Sequence, residues 1–308
     1  MATASHIPVL HDAVLEGLSV RPEGFYVDGT FGRGGHSRAI LGRLGPEGRL
    51  LAMDRDPEAA AAAAALTEDP RFAFERAPFS AMADTLRRRF PERGPDGVFL
   101  DLGVSSPQLD TPERGFSFQH DGPLDMRMDP DSGESAADWL AHAGETEIAD
   151  VIYHYGEERH SRRIARAIVK ARAEAPLART LQLAELVRRA VPHREPGKHP
   201  ATRTFQALRI FVNRELQELE HWLETIPDVL PAGARLVVIS FHSLEDRMVK
   251  QALRGPVAGA RLPRGLPVMP ETPQRKLRPV GKPVRADAAE QRLNPRSRSA
   301  VLRVGERI

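Results

Sequence analysis

Val27-Asp28-Gly29-Thr30-Phe31-Gly32-Arg33-Gly34-Gly35-His36 is the stretch that decides the fold. An apolar run, Gly24 to Val27, meets an acid and then four glycines within seven positions. A buried parallel strand has this look where it enters a loop whose backbone a ligand must touch. Beyond it, Ala39, Ile40 and Leu44 fall at helical spacing over Ser37 to Leu44. The glycines therefore sit at a strand-to-helix turn, with amides and a helix N-terminus facing whatever binds. The dinucleotide fingerprint needs a third glycine three residues after the second. Here that position is Ser37, which speaks against a nicotinamide or flavin dinucleotide.

The strands that follow set Asp28 in a pattern. Arg49 to Asp54 reads as a second strand ending in an acid. Asp54 stands about 20 residues past the glycines, where doubly wound folds place a carboxylate on ribose hydroxyls. Asp56-Pro57-Glu58 opens a helix, and Asp56 suits its N-cap, which leaves Asp54 for a ligand. Arg71 to Arg76 reads as a third strand, with Phe79 just beyond it as a surface for an adenine ring. Asp96 to Gly103 reads as the fourth, running into Val104-Ser105-Ser106-Pro107-Gln108. Strands alternating with helices predict a Rossmann-like α/β fold with a mostly parallel sheet. Ligands of such sheets bind at the strands' carboxyl ends, and Asp28, Asp54, Phe79 and Asp101 all fall there.

Regularity then stops. Residues 109–212 read as an inserted, mostly helical domain, with helices at Ser135 to Ala141, Glu145 to Tyr155, Ser161 to Arg172 and Leu181 to Ala190. This leaves 1–108 and 213–308 as two parts of one α/β domain. The stretch His199 to Ile210 is expected to lead into a helix ending near Leu223. The sheet resumes at Ala234 to Phe241, and His242 brings an imidazole to the same edge as Asp101. From Gly255 to Gln291 arginine and proline dominate, and an extended loop is expected. A last strand, Ala300 to Val304, is expected to add to the sheet edge.

The 308 residues carry a net charge of +2, which conceals an asymmetry. Residues 156–214 hold 14 Lys and Arg against five acids, and residues 254–308 hold 13 against four. Two basic regions on an acidic body predict a polyanionic partner met at particular surfaces. Arg162, Arg166 and Lys170 recur on one helix face, beside Arg163, and suit RNA phosphates. The chain has no cysteine, which excludes disulfides and thiolate chemistry. It has no apolar run long enough for a membrane span, no secretory signal, and no metal-ligand spacing such as His-Glu-x-x-His. A cytoplasmic protein without a metal is expected.

The order acid, three residues, Gly, one residue, Gly at Asp28, Gly32 and Gly34 resembles the first motif of class I methyltransferases dependent on S-adenosylmethionine. The whole chain resembles the bacterial 16S ribosomal-RNA cytosine-N4 methyltransferases, the RsmH (MraW) family. The strings that carry the resemblance include Asp28-Gly-Thr-Phe-Gly-Arg-Gly-Gly-His36, Asp54-Arg-Asp-Pro57 and Asp101-Leu-Gly-Val-Ser-Ser-Pro-Gln-Leu109. Further strings are Pro123-Leu-Asp-Met-Arg-Met128, His199-Pro-Ala-Thr202, Ser240-Phe-His-Ser-Leu-Glu-Asp246 and Pro295-Arg-Ser-Arg-Ser299.

The resemblance implies cofactor contacts at Gly34, Gly35, His36, Asp54, Phe79, Asp101 and Gln108. It implies a substrate-recognition role for the insertion and a target cytidine in the decoding centre, reached on 16S rRNA or the small ribosomal subunit. A homodimer stays open. Cytosine N4 is a poor nucleophile, because its lone pair is delocalised into the ring, so acceptors on its hydrogens are needed. The amino-methyltransferase motif with two prolines and an aromatic is not met at Ser106-Pro107-Gln108-Leu109. Ser105, Ser106 and His242 are the candidates for the catalytic role. A non-enzymatic nucleic-acid-binding regulator is the competing reading.

Overall fold

The structure is a computed structural model that describes residues 8–191, 197, 199–255 and 275–308. Residues 256–274, about half of the expected loop, lie outside the described residues.

The chain divides into two units. The first joins Met1–Gly103 to Gln217–Ile308, and the second is Val104–Leu216. Sequence reading puts the breaks at 108/109 and 212/213.

The first unit is built on seven strands: β1 (Phe25–Asp28), β2 (Arg49–Asp54), β3 (Phe72–Arg76), β4 (Gly97–Asp101), β5 (Arg235–Ser240), β6 (Leu277–Arg285) and β7 (Val301–Arg307). Their order is β3-β2-β1-β4-β5-β7-β6. The first five run parallel, and β7 and β6 are antiparallel. Successive side chains of a strand point to opposite faces. Tyr26, Leu50 and Phe99 accordingly enter one apolar cluster, while Val27, Leu51, Val98 and Leu100 enter the other. All four residues of β1 are buried, as expected of a central strand covered on both sides. This is the expected Rossmann-like, mostly parallel sheet.

Two expectations about the C-terminal part are corrected. Leu277–Arg285 is a strand and Ala288–Leu293 a helix, not extended loop. The last strand does not form the edge; β7 lies between β5 and β6. Pro279, Gly281 and Pro283 hide β6 from pattern reading, because they break alternation. Such residues are tolerated at a sheet edge, and the pairing register shifts between Val280 and Val284.

The second unit has its own core, in which Leu124, Met126, Trp139, Ile148, Ile152, Ile164, Ile168, Leu183 and Leu208 are buried. Its helices include Ala136–His142, Glu145–Gly156, Ser161–Glu174, Thr180–Ala190 and Thr202–Val212. The single helix expected to reach Leu223 is two, since Thr202–Val212 stops and Glu215–Thr225 begins. Asn213 is the reason. Its side-chain amide donates to the carbonyls of Met126 (2.7 Å) and Arg209 (2.9 Å) and accepts from the Met128 amide (2.7 Å). The chain then turns through Arg214, which takes a left-handed φ of 52°.

Candidate active site

The carboxyl ends of β2, β1, β4 and β5 form one rim. Asp54, Asp28, Asp101 and Ser240 close these strands in that spatial order. The glycine loop is strapped across the first three. The Phe31 amide donates to the Met53 carbonyl (3.0 Å), the Gly29 amide to the Phe99 carbonyl (2.9 Å), and the Gly32 amide to an Asp54 carboxylate oxygen (2.8 Å). Gly34 has φ +75°, and a Cβ there would lie 2.6 Å from the Phe31 ring, so only glycine fits this turn. The helix Gly35–Leu41 starts immediately after it.

Asp28 is the buried post of the rim, only 1% exposed. One of its oxygens accepts from Ser37 Oγ (2.6 Å) and the other from the Thr30 amide (3.1 Å). Ser37 is thus a structural donor at the place where a dinucleotide loop has glycine. Burial pushes Asp28 up to about 6, against those hydrogen bonds and with help from the charge of Asp54. Asp54 accepts from the Gly32 and Asp56 amides (2.8 and 2.9 Å), and burial pushes it too up to about 6. Asp56 caps the helix Pro57–Ala63 through the Glu58 amide.

Asp101 is the most perturbed group. Burial, then Asp28 and Glu245, push it up to about 8. Its amide donates to Thr30 Oγ1 (2.7 Å), yet its buried Oδ1 has no hydrogen-bond partner among the described residues. The His36 Nε2 lies 3.7 Å from Asp101 Oδ2, too long for a hydrogen bond. His36 is buried against the Phe99 ring, with centroids 4.7 Å apart. Burial, and the nearby His11, push it down to about 3, so its imidazole is neutral at pH 7.

His242 stands at the N-terminus of the helix Ser243–Arg254. Glu245, buried three residues on, accepts from the amides of Phe241 (2.9 Å) and His242 (3.3 Å). Its other oxygen is 3.1 Å from His242 Nε2, although not aligned as a hydrogen bond. Arg303 on β7 grips Asp246 with two hydrogen bonds (2.7 and 3.0 Å) and holds this helix start to the sheet.

Phe79 begins a short turn after β3 and meets the Trp222 ring edge-on, with centroids 6.4 Å apart. The structure therefore gathers Gly34, Gly35, His36, Asp54, Phe79, Asp101 and His242 within one unit. Ser105, Ser106 and Gln108 belong to the other unit. There Ser105 caps the helix Ser106–Asp110: its Oγ accepts from the Gln108 amide (3.4 Å), and Gln108 Oε1 accepts from the Ser105 amide (2.9 Å). This capping box occupies part of the hydrogen-bonding capacity of both side chains.

Sequence reasoning missed Thr30, Ser37 and Glu245. The last carried a signal, an acid three residues after a helix-starting His-Ser pair. Thr30 and Ser37 carried none, because their partner Asp28 becomes a hydrogen-bond hub only once the loop folds back.

The profile of the MraW methylase family matches residues 3–308. The chain belongs to the MraW methylase family. A relative from Thioalkalivibrio sulfidiphilus called Ribosomal RNA small subunit methyltransferase H is 62% identical over 306 residues, covering 99% of this chain and 98% of its own. One of the same name from Chromohalobacter salexigens is 57% identical over 304 residues, with 98% and 92% covered. Among solved structures, an rRNA methylase from Streptococcus thermophilus is 11% identical with a TM-score of 0.41, covering 97% of this chain and 93% of its own. As a member of the MraW methylase family the chain is an enzyme of methyl transfer. Among the described residues, no helix is long and apolar enough to cross a membrane.

Proposed function

We propose that this methylase transfers a methyl group from S-adenosylmethionine to the exocyclic N4 of one cytidine in small-subunit ribosomal RNA, in the cytoplasm. The observation that carries the reading is the convergence of Asp28, Asp54 and Asp101 on one rim beside a glycine cradle, in a chain of a methylase family. The rim suits the donor on three counts. The Gly32–Gly35 turn, whose Gly34 and Gly35 have no room for a side chain beside Phe31 and Pro8, leads directly into a helix N-terminus at the rim. Asp54, at the end of β2, suits ribose hydroxyls. Asp101, with an orphaned buried oxygen, suits the cationic amino-acid end.

Bound there, S-adenosylmethionine supplies a methyl already activated on a sulfonium. The protein must then bring N4 in line and remove a proton as the N–C bond forms. We assign the proton to His242. Glu245 stands against its Nε2, and Nδ1 has no hydrogen-bond partner among the described residues. Ser105 and Ser106 are assigned to orient the amine, and Gln108 to support the cofactor. The target base leaves its stack to reach the methyl. The second unit is assigned to substrate recognition, with its exposed Arg162, Arg163, Arg166 and Lys170 against phosphates.

Labelled S-adenosylmethionine incubated with small subunits, or with free 16S rRNA, tests this. N4-methylcytidine in one mapped position is the expected product. Methyl on a ring carbon, on another base, or on no RNA contradicts the reading. A non-enzymatic regulator would keep all its activity in Asp54→Ala, whereas the methylase loses donor binding.

A further inference from the structure

One half-buried acid at the rim takes no part in the reading above. Glu218 sits on the helix Glu215–Thr225, in a stretch of sequence with no loop or strand signal. Its Oε1 lies 3.6 Å from an Arg55 guanidinium nitrogen, and Arg55 directly follows Asp54. Its Oε2 is buried and has no hydrogen-bond partner among the described residues. One turn further along, Trp222 meets the Phe79 ring and donates from its indole N–H to Met82 Sδ (3.4 Å). The helix is thereby fixed beside the residues that follow β3, and Glu218 stands at the β2–β3 end of the rim.

A buried carboxylate oxygen left without a donor is costly, so a ligand that brings an N–H there gains strongly. Arg55 pairs with Oε1 at ion-pair distance, and Oε2 is left without a hydrogen-bond donor among the described residues. The neighbourhood fixes which N–H. Asp54 takes the ribose, and Phe79 offers an aromatic surface to the base. A group beyond the ribose that points a donor at a carboxylate is an exocyclic amine. A 6-oxo purine would instead point a second acceptor at it.

We propose that Glu218 reads the 6-amino group of the cofactor's adenine, so that the site selects adenosyl over inosyl donors. The proposal rests on the S-adenosylmethionine reading of the rim.

Calorimetric titration with S-adenosylhomocysteine and with its 6-oxo analogue, S-inosylhomocysteine, tests it without any turnover. Wild type should bind the 6-oxo analogue about tenfold or more weakly than the adenine form. Glu218→Gln should lose most of that discrimination, because its amide can donate to a 6-oxo group. Wild type binding both ligands equally overturns the proposal without any variant. So does a Glu218→Gln protein that keeps the full preference. If wild type binds neither ligand, the donor reading itself falls, and this inference falls with it.

Discussion

The two units use charge in opposite ways. The first gathers acids at its rim: Asp28 is buried and Asp54 and Asp101 are half-buried, and each is held protonated to higher pH than a free carboxyl. The second buries apolar side chains and shows cations outward, as along Arg162, Arg163, Arg166 and Lys170. A buried carboxylate destabilises the unliganded fold, and a ligand of the right charge relieves it. An exposed cation costs the fold little and acts at longer range on a polyanion. Loss of the rim carboxylates and loss of the exposed cations should therefore have separable effects, the first on donor binding and the second on RNA binding.

The sharpest way to break this contrast is Asp54→Ala. It should abolish detectable S-adenosylmethionine binding by calorimetry, a loss of about a hundredfold or more, because a charge-assisted contact goes and the Gly32 amide loses its acceptor. The same substitution should leave affinity for small-subunit RNA within about twofold. A matching loss of RNA affinity would merge the two sites.

Next in size is the core of the second unit. Ile164→Ala, at a fully buried position, should cost about 2–4 kcal/mol in urea unfolding while donor affinity is unchanged. Changing Arg162, Arg163, Arg166 and Lys170 together to Ala should flatten the salt dependence of RNA binding. The slope of log K against log salt should fall by up to about three units, at roughly 0.7 per phosphate contact. No change in slope would mean that this face is merely solvated.

The smallest effect is on stability against pH. A carboxyl whose folded value is raised binds protons more tightly folded than unfolded, so stability falls as pH climbs through the gap. For Asp28 and Asp54 that gap ends near pH 6, and for Asp101 near pH 8. His36, held low, destabilises only below its ordinary value near 6.5. Between pH 6.5 and 8, Asp101 is thus the main contributor, with a slope of at most about 1.4 kcal/mol per pH unit. Unliganded Asp101→Asn protein should show a flatter melting-temperature profile across that window than wild type. An unchanged profile would mean that Asp101 titrates normally.

How much of this was legible beforehand differs between the units. The rim could be read because parallel strands with apolar interiors end abruptly in acids, and a doubly wound topology sends all such ends to one side. Arg49 to Asp54 was placed to the residue. Strand β6 was not, since Pro279 and Pro283 deny it alternation and only its edge position tolerates them. The break at Asn213 was hidden for another reason: its cause is a side chain bonding to Met126 and Met128, far away in sequence. Glu218 was invisible for the same kind of reason. Its helix follows the insertion, and only folding returns it beside Arg55. Ser105 and Ser106 were read as substrate-facing from their place after β4, whereas the Ser105 hydroxyl also serves a helix cap, a local use that short polar residues commonly take.

A cationic donor arriving at the acidic rim should drive protons from it, because these carboxyls are held protonated to higher pH than free ones. Calorimetry of S-adenosylmethionine binding near pH 7, in buffers of different ionisation enthalpy, measures this directly. Wild type should release a large fraction of one proton, with affinity rising from pH 6 to 8, and Asp101→Asn should release much less. Binding in wild type with no proton release and no pH dependence would contradict it.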